Sequence, residues 1–537
     1  MTSRPARRQD RSSADALNDA GLAHKAAGRL DEAARAFRAA LDADRSHAAA
    51  IGNLGLVLWL QEKVGVAVRC LEESIRLDPD DADVHASLAE AFLHLGRFED
   101  ARAAARQASS LAPQSLDLRS NALLCMAYDE GIGAQERLDA HRAFGADAHR
   151  AFGADAWRGA PAAPKRPDRA GDPDRRLTLG YVSPDFNRHS VARFFAPLLR
   201  AHDRPRFRVH CYQVGERDDG TTTALRASAD DWTDARALDD AALAERMRDD
   251  GVDIAIDLAG HTAGNRLGAF ARRPAPVQAS WLGYPDTTGL AAIDIRLADA
   301  VTDPPGTERW VTERLARLPR PLHAFDPDPD APAVAPRPPG PVVFGSFNAL
   351  PKLSDGTVAL WSRVLQEVEG SRLLLKAFGL ADPSVREVVQ RRFASRGIAG
   401  DRLDLRGRVA TQASHLGTYG EIDIALDPAH YNGTTTTCEA MWMGVPLVSL
   451  RGDRHASRVG ASLLAAAGMP QLIAEDADAF VAIAASLARD PERRAALRGS
   501  MRDRVASSPL RDGVGLARAV ESAYRAAWAG WCAEGKR

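Results

Sequence analysis

A 34-residue step in the first hundred or so positions constrains this chain more than any other feature. Ala33, Ala67 and Ala101 stand in one phase, Phe37, Leu71 and Ala105 in a second, and Ala40, Ser74 and Ala108 in a third. Upstream positions keep the same step: Gly21, Gly55 and Ala89; Ala20, Leu54 and Leu88; His24, Leu58 and Phe92. Pro79 and Pro113 close the second and third units. A repeat of this length is a helix pair, and small residues recur where its two helices approach closely. One pair cannot bury its apolar face alone, so pairs stack into an array. A generic Ala-rich bundle would account for the composition, but not for the agreement of several phases.

The period and its small residues follow the tetratricopeptide (TPR) pattern over about residues 14–115. Leu116–Asp129 reads as one more helix closing the stack, so repeats and cap take residues 14–135. Residues 1–13 are expected to be disordered. Residues 136–176 are expected to be helix and then linker, because 158–176 are rich in Pro, Gly and charge. HRAFGADA occurs there twice in succession, at His141–Ala148 and His149–Ala156. Its two histidines would lie on roughly one helix face, which alone does not make a metal site.

At 537 residues the chain exceeds one core, and three or four domains are expected. A net charge of −2 argues against a general nucleic-acid binder. Cys70, Cys125, Cys211, Cys438 and Cys532 are scattered without a CxxC pair, which suits a reducing compartment better than a disulfide framework or a zinc site. The N-terminus shows no apolar signal-peptide core, and no run approaches the roughly 18 apolar residues of a membrane span. A cytoplasmic protein without membrane or nucleic-acid partners is expected.

Beyond residue 177 the pattern becomes alternating strand and helix. Strands are expected at Leu177–Val182, Phe207–Tyr212, Val252–Leu258 and Val277–Trp281, with a helix at Ala241–Asp249 among the segments between. The Pro-rich run 326–341 breaks the alternation. It resumes with strands at Val342–Phe347, Arg372–Phe378, Arg402–Leu405, Ile422–Leu426 and Pro446–Leu450. The helices between and after them are expected at Gly356–Val368, Ser384–Ala394, Gln412–Tyr419, Thr436–Met443 and Ala456–Ala467. Such alternation implies parallel sheets with crossover helices. The expected architecture is therefore a helical repeat array and two Rossmann-like halves, 177–325 and 342–537, the latter including C-terminal helices.

Ligands sit beyond the carboxyl ends of parallel strands, so the loops that follow strands matter most. Asp427–Glu439, DPAHYNGTTTTCE, is such a loop. Asn432-Gly433 supplies a turn, and Thr434, Thr435, Thr436 and Thr437 stand where a helix begins. A helix start offers unpaired N–H groups and partial positive charge to a phosphate. Glu439 follows in the first turn, where a carboxylate can accept from ribose hydroxyls. The alternative is an ordinary N-cap cluster. GYVSPDFNRHS (Gly180–Ser190), DLAGHTAGNR (Asp257–Arg266) and FNALPKLS (Phe347–Ser354) share this placement. There is no GxGxxG or P-loop signature, and Asp326, Asp328 and Asp330 read as linker charge rather than a metal site.

These loops, with RRPAPVQASWLGYPDTTG, FGSFNALPKLS, YNGTTTTCEAMWMGVPLV and GDRHASRVGAS, resemble the bacterial form of the O-GlcNAc transferase (SPINDLY-like) family. The resemblance extends from the repeats to about residue 525. It implies a TPR superhelix followed by a GT-B core of two Rossmann-like domains facing a cleft. His189 falls at the family's active-site histidine, positioning or deprotonating an acceptor hydroxyl, with the donor's own α-phosphate as the rival base. Lys352 matches a lysine facing the donor β-phosphate. Thr435 and Thr436 match the diphosphate-binding threonines, Glu439 the ribose carboxylate and His415 a histidine beside the base. Thr434 and Ala349 stand where animal members have histidine and glutamine.

His261, in the turn Gly260–Gly264, is expected to touch acceptor or sugar, or else only to fill the turn. Asn432 and Arg458 are placed with the nucleotide-sugar residues. Arg266 is expected to frame its loop, and Asp286, Thr287 and Thr288 to shape the cleft. The resemblance implies an inverting, metal-independent glycosyltransferase without a cofactor. It would move a sugar, most simply GlcNAc from UDP-GlcNAc, to Ser or Thr of proteins held along the TPR groove. The alternatives are GDP-fucose as donor, a different acceptor, or an inactive TPR scaffold.

Overall fold

The computed structural model describes residues 4–153 and 172–534. Most of the Pro- and charge-rich run 158–176 and the end of the second HRAFGADA copy lie outside the described residues. The chain divides into two compact units, Met1–Asp129 with Ser346–Ala410, and Glu130–Gly345 with Thr411–Arg537.

The first unit opens with helices α1 (Arg4–Ala26), α2 (Leu30–Ala43), α3 (Ala48–Leu60), α4 (Val64–Leu77), α5 (Ala82–His94), α6 (Phe98–Leu111) and α7 (Leu116–Tyr128). Helix α1 covers most of the segment expected to be disordered. The 34-residue step appears directly in the helix starts: 30, 64 and 98 in one series, 48, 82 and 116 in the other. Ala33, Ala67 and Ala101 are all fully buried. A Cβ at Gly21 would lie 2.4 Å from the Phe37 ring, and one at Gly55 would lie 3.0 Å from Leu71. Larger residues there would therefore push the paired helices apart.

Residues 346–410 belong with these repeats because the inter-repeat turns are fastened to one loop. The Gly65 N–H donates to Asp382 and the Gly379 N–H to Glu62, at 2.9 and 3.0 Å. Trp59 and His94, from successive repeats, pack on Phe378 with ring centroids 4.9 and 5.3 Å away.

In the second unit α8 (Ala134–Ala148) precedes a seven-stranded sheet. Its strands are β1 (Leu177–Ser183), β2 (Phe207–Gln213), β3 (Asp231–Asp234), β4 (Ile254–Asp257), β5 (Val277–Ser280), β6 (Ile295–Asp299) and β7 (Arg314–Leu318). All pairings are parallel, in the order β3-β2-β1-β4-β5-β6-β7. Strands β3, β6 and β7 were not among the sequence expectations. DWTD is short and polar, and RLAD and RLARL mix arginine into the apolar run. The final helix, Gly513–Glu534, does not stay with the second half as expected. Its Leu516, Ala517, Val520, Tyr524 and Trp528 complete the core of this first sheet, beside Leu179, Tyr181 and Phe195. Glu521 of that helix faces His202 at 2.9 Å.

The later strands are β8 (Val343–Ser346), β9 (Arg372–Lys376), β10 (Leu403–Arg406), β11 (Ile424–Leu426), β12 (Leu447–Leu450) and β13 (Ile473–Ala474). In the second unit β8, β11, β12 and β13 pair in that order, and in the first unit β9 pairs with β10, all in parallel. The Pro-rich run 326–341 is irregular, as proline requires, yet pinned. Arg200 holds Asp326 at 2.8 Å, Arg193 holds Asp328 at 2.5 Å, and Arg502 donates to the Pro332 carbonyl at 2.7 Å. Asp326 and Asp328 are thus arginine partners.

Candidate functional site

Asp427 ends the run from β11 with a fully buried carboxylate, which accepts from the Gly433 N–H and Ser449 Oγ, each at 2.7 Å. Asn432, 1% exposed, donates its amide to the Pro428 carbonyl at 2.7 Å and accepts the Gly460 N–H at 3.1 Å. One end of that amide closes the loop and the other holds the first turn of the helix Val459–Ala466. Asn432 thereby fixes the shape of the loop that leads into the threonine run.

The chain then enters the helix Thr435–Trp442. Thr434 occupies the N-cap position but makes no side-chain capping bond. Thr437 Oγ1 turns back to the Gly433 carbonyl at 3.1 Å. Thr435 Oγ1 is buried without a hydrogen-bond partner. Buried hydroxyls are normally paired, and this one lies beside first-turn N–H groups that suit an anion. Thr434, in the N-cap position, does not cap this helix through its side chain.

Glu439 follows one turn later and is 7% exposed. Its carboxylate faces His415 Nε2 at 3.0 Å, Gln412 Nε2 at 3.1 Å and the Tyr419 hydroxyl at 3.4 Å. The Tyr419 hydroxyl also reaches the Thr436 carbonyl at 3.2 Å. Burial, reinforced by Glu439, pushes the Tyr419 phenol well above its ordinary range, so it stays a neutral donor. His415 and Glu439, placed separately by sequence, are directly paired. Gln412 and Tyr419 were missed, although i−3 and i+4 spacing from His415 marks a shared helix face.

Arg458 does not turn to the threonine loop. It donates to the carbonyls of Val301 at 2.6 Å and Gly452 at 2.9 Å, tying the β12 loop to the end of β6. His455 and Ser462 reinforce that seam, bonding Asp303 at 2.6 Å and Asp299 at 2.7 Å. Burial works to raise the Asp303 carboxyl, but the charges of His455 and Arg296 hold it far below the usual range. Arg458 broke the expected helix Ala456–Ala467 into a short turn, His455–Ser457, and a helix, Val459–Ala466. Half-buried and bonded to two backbone carbonyls, Arg458 braces the loop after β12.

On the first sheet, His189 follows β1 and caps the helix Ser190–Ala201. Its Nδ1 accepts the Val191 N–H at 3.3 Å and lies 3.4 Å from Asp185 Oδ1. Its side chain remains 47% exposed, accessible to a reactant.

His261 follows β4 but is 1% exposed. Its Nε2 lies 2.9 Å from the Thr288 carbonyl. Phe144 and His141 of α8 cover it edge-on at centroid distances of 4.6 and 5.2 Å. Burial, with His141 beside it, drives its pKa down to about 3. This imidazole is neutral and enclosed, as a residue that fills the turn would be. His141 itself bonds the Arg137 carbonyl at 2.6 Å and the Tyr284 hydroxyl at 3.0 Å. Among the described residues no group of three or more His, Cys, Asp or Glu is arranged to hold a metal.

Glu313 accepts from Thr287 Oγ1 and the Thr288 N–H at 2.7 Å, and Arg137 pairs with Asp286 at 2.6 Å. Arg266 bonds Asp240 and the Leu238 carbonyl at 2.6 and 2.7 Å, framing its own loop. Lys352 belongs to the first unit, at the end of a one-turn helix, Leu350–Lys352, that begins after Ala349.

Comparison with known proteins agrees with this architecture. A model of glycosyl transferase family 41 matches residues 162–327 and 335–517, and a tetratricopeptide repeat model matches 18–68 and 53–115. A protein of Arabidopsis thaliana named probable UDP-N-acetylglucosamine–peptide N-acetylglucosaminyltransferase SPINDLY is 37% identical over 428 residues, covering 78% of this chain and 46% of its own length. Its namesake in Petunia hybrida is 40% identical over 372 residues, covering 68% and 40%. The chain thus spans less than half the length of these curated relatives. A solved structure of a lysine-to-methionine mutant of the Thermobaculum terrenum O-GlcNAc transferase superposes with a TM-score of 0.89 at 35% identity, covering 100% of both chains. With helical repeats ahead of a two-sheet parallel α/β core, and a family match over well more than half its length, this chain belongs to glycosyl transferase family 41.

Proposed function

We propose that this chain transfers a sugar from a nucleotide donor, UDP-GlcNAc in the simplest reading, to serine or threonine hydroxyls of proteins. The observation that carries the proposal is the buried, unpartnered Thr435 hydroxyl at a helix N-terminus, one turn from a Glu439 carboxylate framed by His415, Gln412 and Tyr419. An anion-binding end beside hydrogen-bonding groups suits a nucleoside diphosphate. The names of the curated relatives support the choice of donor and peptide acceptor.

In the proposed step the acceptor oxygen bonds to the anomeric carbon as the bond from that carbon to the diphosphate oxygen breaks, with inversion. The hydroxyl proton passes to His189, and the nucleoside diphosphate leaves. The helix N-terminus with Thr435 and Thr436 would meet the growing charge, and the family resemblance gives the Lys352 ammonium the same task, in place of a metal. The repeats would hold the polypeptide acceptor. The setting would be the reducing cytoplasm, which suits five cysteines scattered without a CxxC pair.

The test is a panel of UDP, GDP and their sugars read by thermal shift, followed by intact mass of a peptide substrate with EDTA present. Stabilisation by UDP and a mass gain of one N-acetylhexosamine from UDP-GlcNAc are expected. Stabilisation by GDP alone would replace the donor. No mass gain from any nucleotide sugar would sink the transferase reading.

A further inference from the structure

A histidine that takes the acceptor proton must present a ring nitrogen carrying a lone pair, and the surroundings of His189 offer two opposite answers. When Nδ1 accepts the Val191 N–H, at 3.3 Å, the neutral ring holds its proton on Nε2 and that nitrogen can only donate. When Nδ1 instead carries the proton and its N–H points to Asp185 Oδ1, 3.4 Å away, the lone pair is on Nε2. The two contacts exclude one another, because both use Nδ1. Both are long, so they exchange by a small ring motion once water has taken the Nε2 proton and supplied one to Nδ1 of the exposed ring.

Asp185 is built to take part. Its N–H is anchored on Ser183 Oγ at the end of β1, at 3.0 Å. Its side chain is 18% exposed against 47% for the ring, so the carboxylate is covered while the imidazole stays accessible. Burial pushes its carboxyl upward, and the charge that His189 carries when protonated pulls it back down.

We propose that Asp185 is a positioning residue, whose carboxylate draws the Nδ1 proton of His189, releases the capping bond to Val191 and leaves Nε2 free to receive the acceptor proton. The proposal rests on the reading of His189 as the group that takes that proton.

The test uses the full chain with 15N-labelled histidine. Two-bond ring correlations report the tautomer of His189, assigned by its loss in His189→Gln. An Nδ1-protonated population is expected in the parent, moving toward Nε2-protonated in Asp185→Asn and Asp185→Ala. Transfer kcat should fall about 10-fold in both while the donor KM changes less than about 2-fold, a split that uniform loss of binding would not produce. A parent ring wholly protonated on Nε2, with neither variant altering kcat, overturns the proposal. The parent spectrum needs no substitution, so it stands even if a variant folds poorly. Should no transfer occur from any donor, the functional reading fails, and the tautomer shift still decides whether Asp185 governs the ring.

Discussion

His415 Nε2 lies 3.0 Å from a carboxylate oxygen of Glu439, joining the helix Gln412–Gly417 to the second turn of the threonine helix. The pair orients Glu439 next to the buried Thr435 hydroxyl rather than leaving it free to rotate. Glu439→Gln removes the charge and the acceptor for His415, Gln412 and Tyr419 together. Nucleoside diphosphate affinity measured by calorimetry should weaken about 10-fold, or about 1.4 kcal/mol. Unchanged affinity would show that Glu439 only braces the helix.

Lys352 tests the leaving-group half of the reaction. Lys352→Ala should lower kcat by about 10²–10³-fold, in the range seen when one group stabilising transition-state charge is removed. The melting temperature should hold, since Lys352 is partly exposed at the end of a one-turn helix. Full activity in the variant would remove the ammonium from the mechanism.

The seat of α8 depends on a glycine pair. A Cβ at Gly145 would stand 1.9 Å from the Gly289 carbonyl oxygen, a backbone atom that cannot swing aside. Gly145→Ala should destabilise the second unit by about 1–3 kcal/mol. Gly133, at the start of the same helix, has nothing within 4 Å. Gly133→Ala should change stability by about 0.5 kcal/mol or less. Denaturant melts of the two variants separate these outcomes, and equal effects would contradict the packing account.

Acid should destabilise the protein through His261. Unfolded, its imidazole gains a proton near pH 6.5, whereas burial delays this in the folded state to about 3. Between those values the unfolded state binds more protons, so stability is present above about 6.5 and falls with pH, by about 1.4 kcal/mol per unit. Asp257, pushed up to about 6 by burial, acts oppositely, since its folded form keeps a proton that the unfolded chain releases. His261→Gln leaves Asp257 in place. Its melting temperature should therefore drop less than the parent's between pH 7.5 and 5.0. Parallel curves would mean that His261 is protonated without unfolding.

Much of the architecture was legible because its signals are periodic. The 34-residue step became helix starts at 30, 64 and 98. Strand and helix alternation located β1, β2, β4 and β5 and the threonine helix. Strands such as β3 carry no such pattern, because a short polar strand is held by its neighbours rather than by its own residues. Gln412 and Tyr419 were visible only as spacings around His415. Asn432 and Arg458 carried polar groups at the right loops, yet nothing local told which partners those groups would take.

By itself, then, the sequence determined the repeat array, the alternating α/β order and the threonines at a helix start, since local spacing and backbone preference decide those. Tertiary structure decided which polar side chains remain available. His261 lies in a loop as suggestive as that of His189, but Phe144 and His141, more than a hundred residues earlier, close over it. Burial depends on which distant element covers a side chain. That is why His189 stays accessible, His261 does not, and the final helix joins the core of the first sheet.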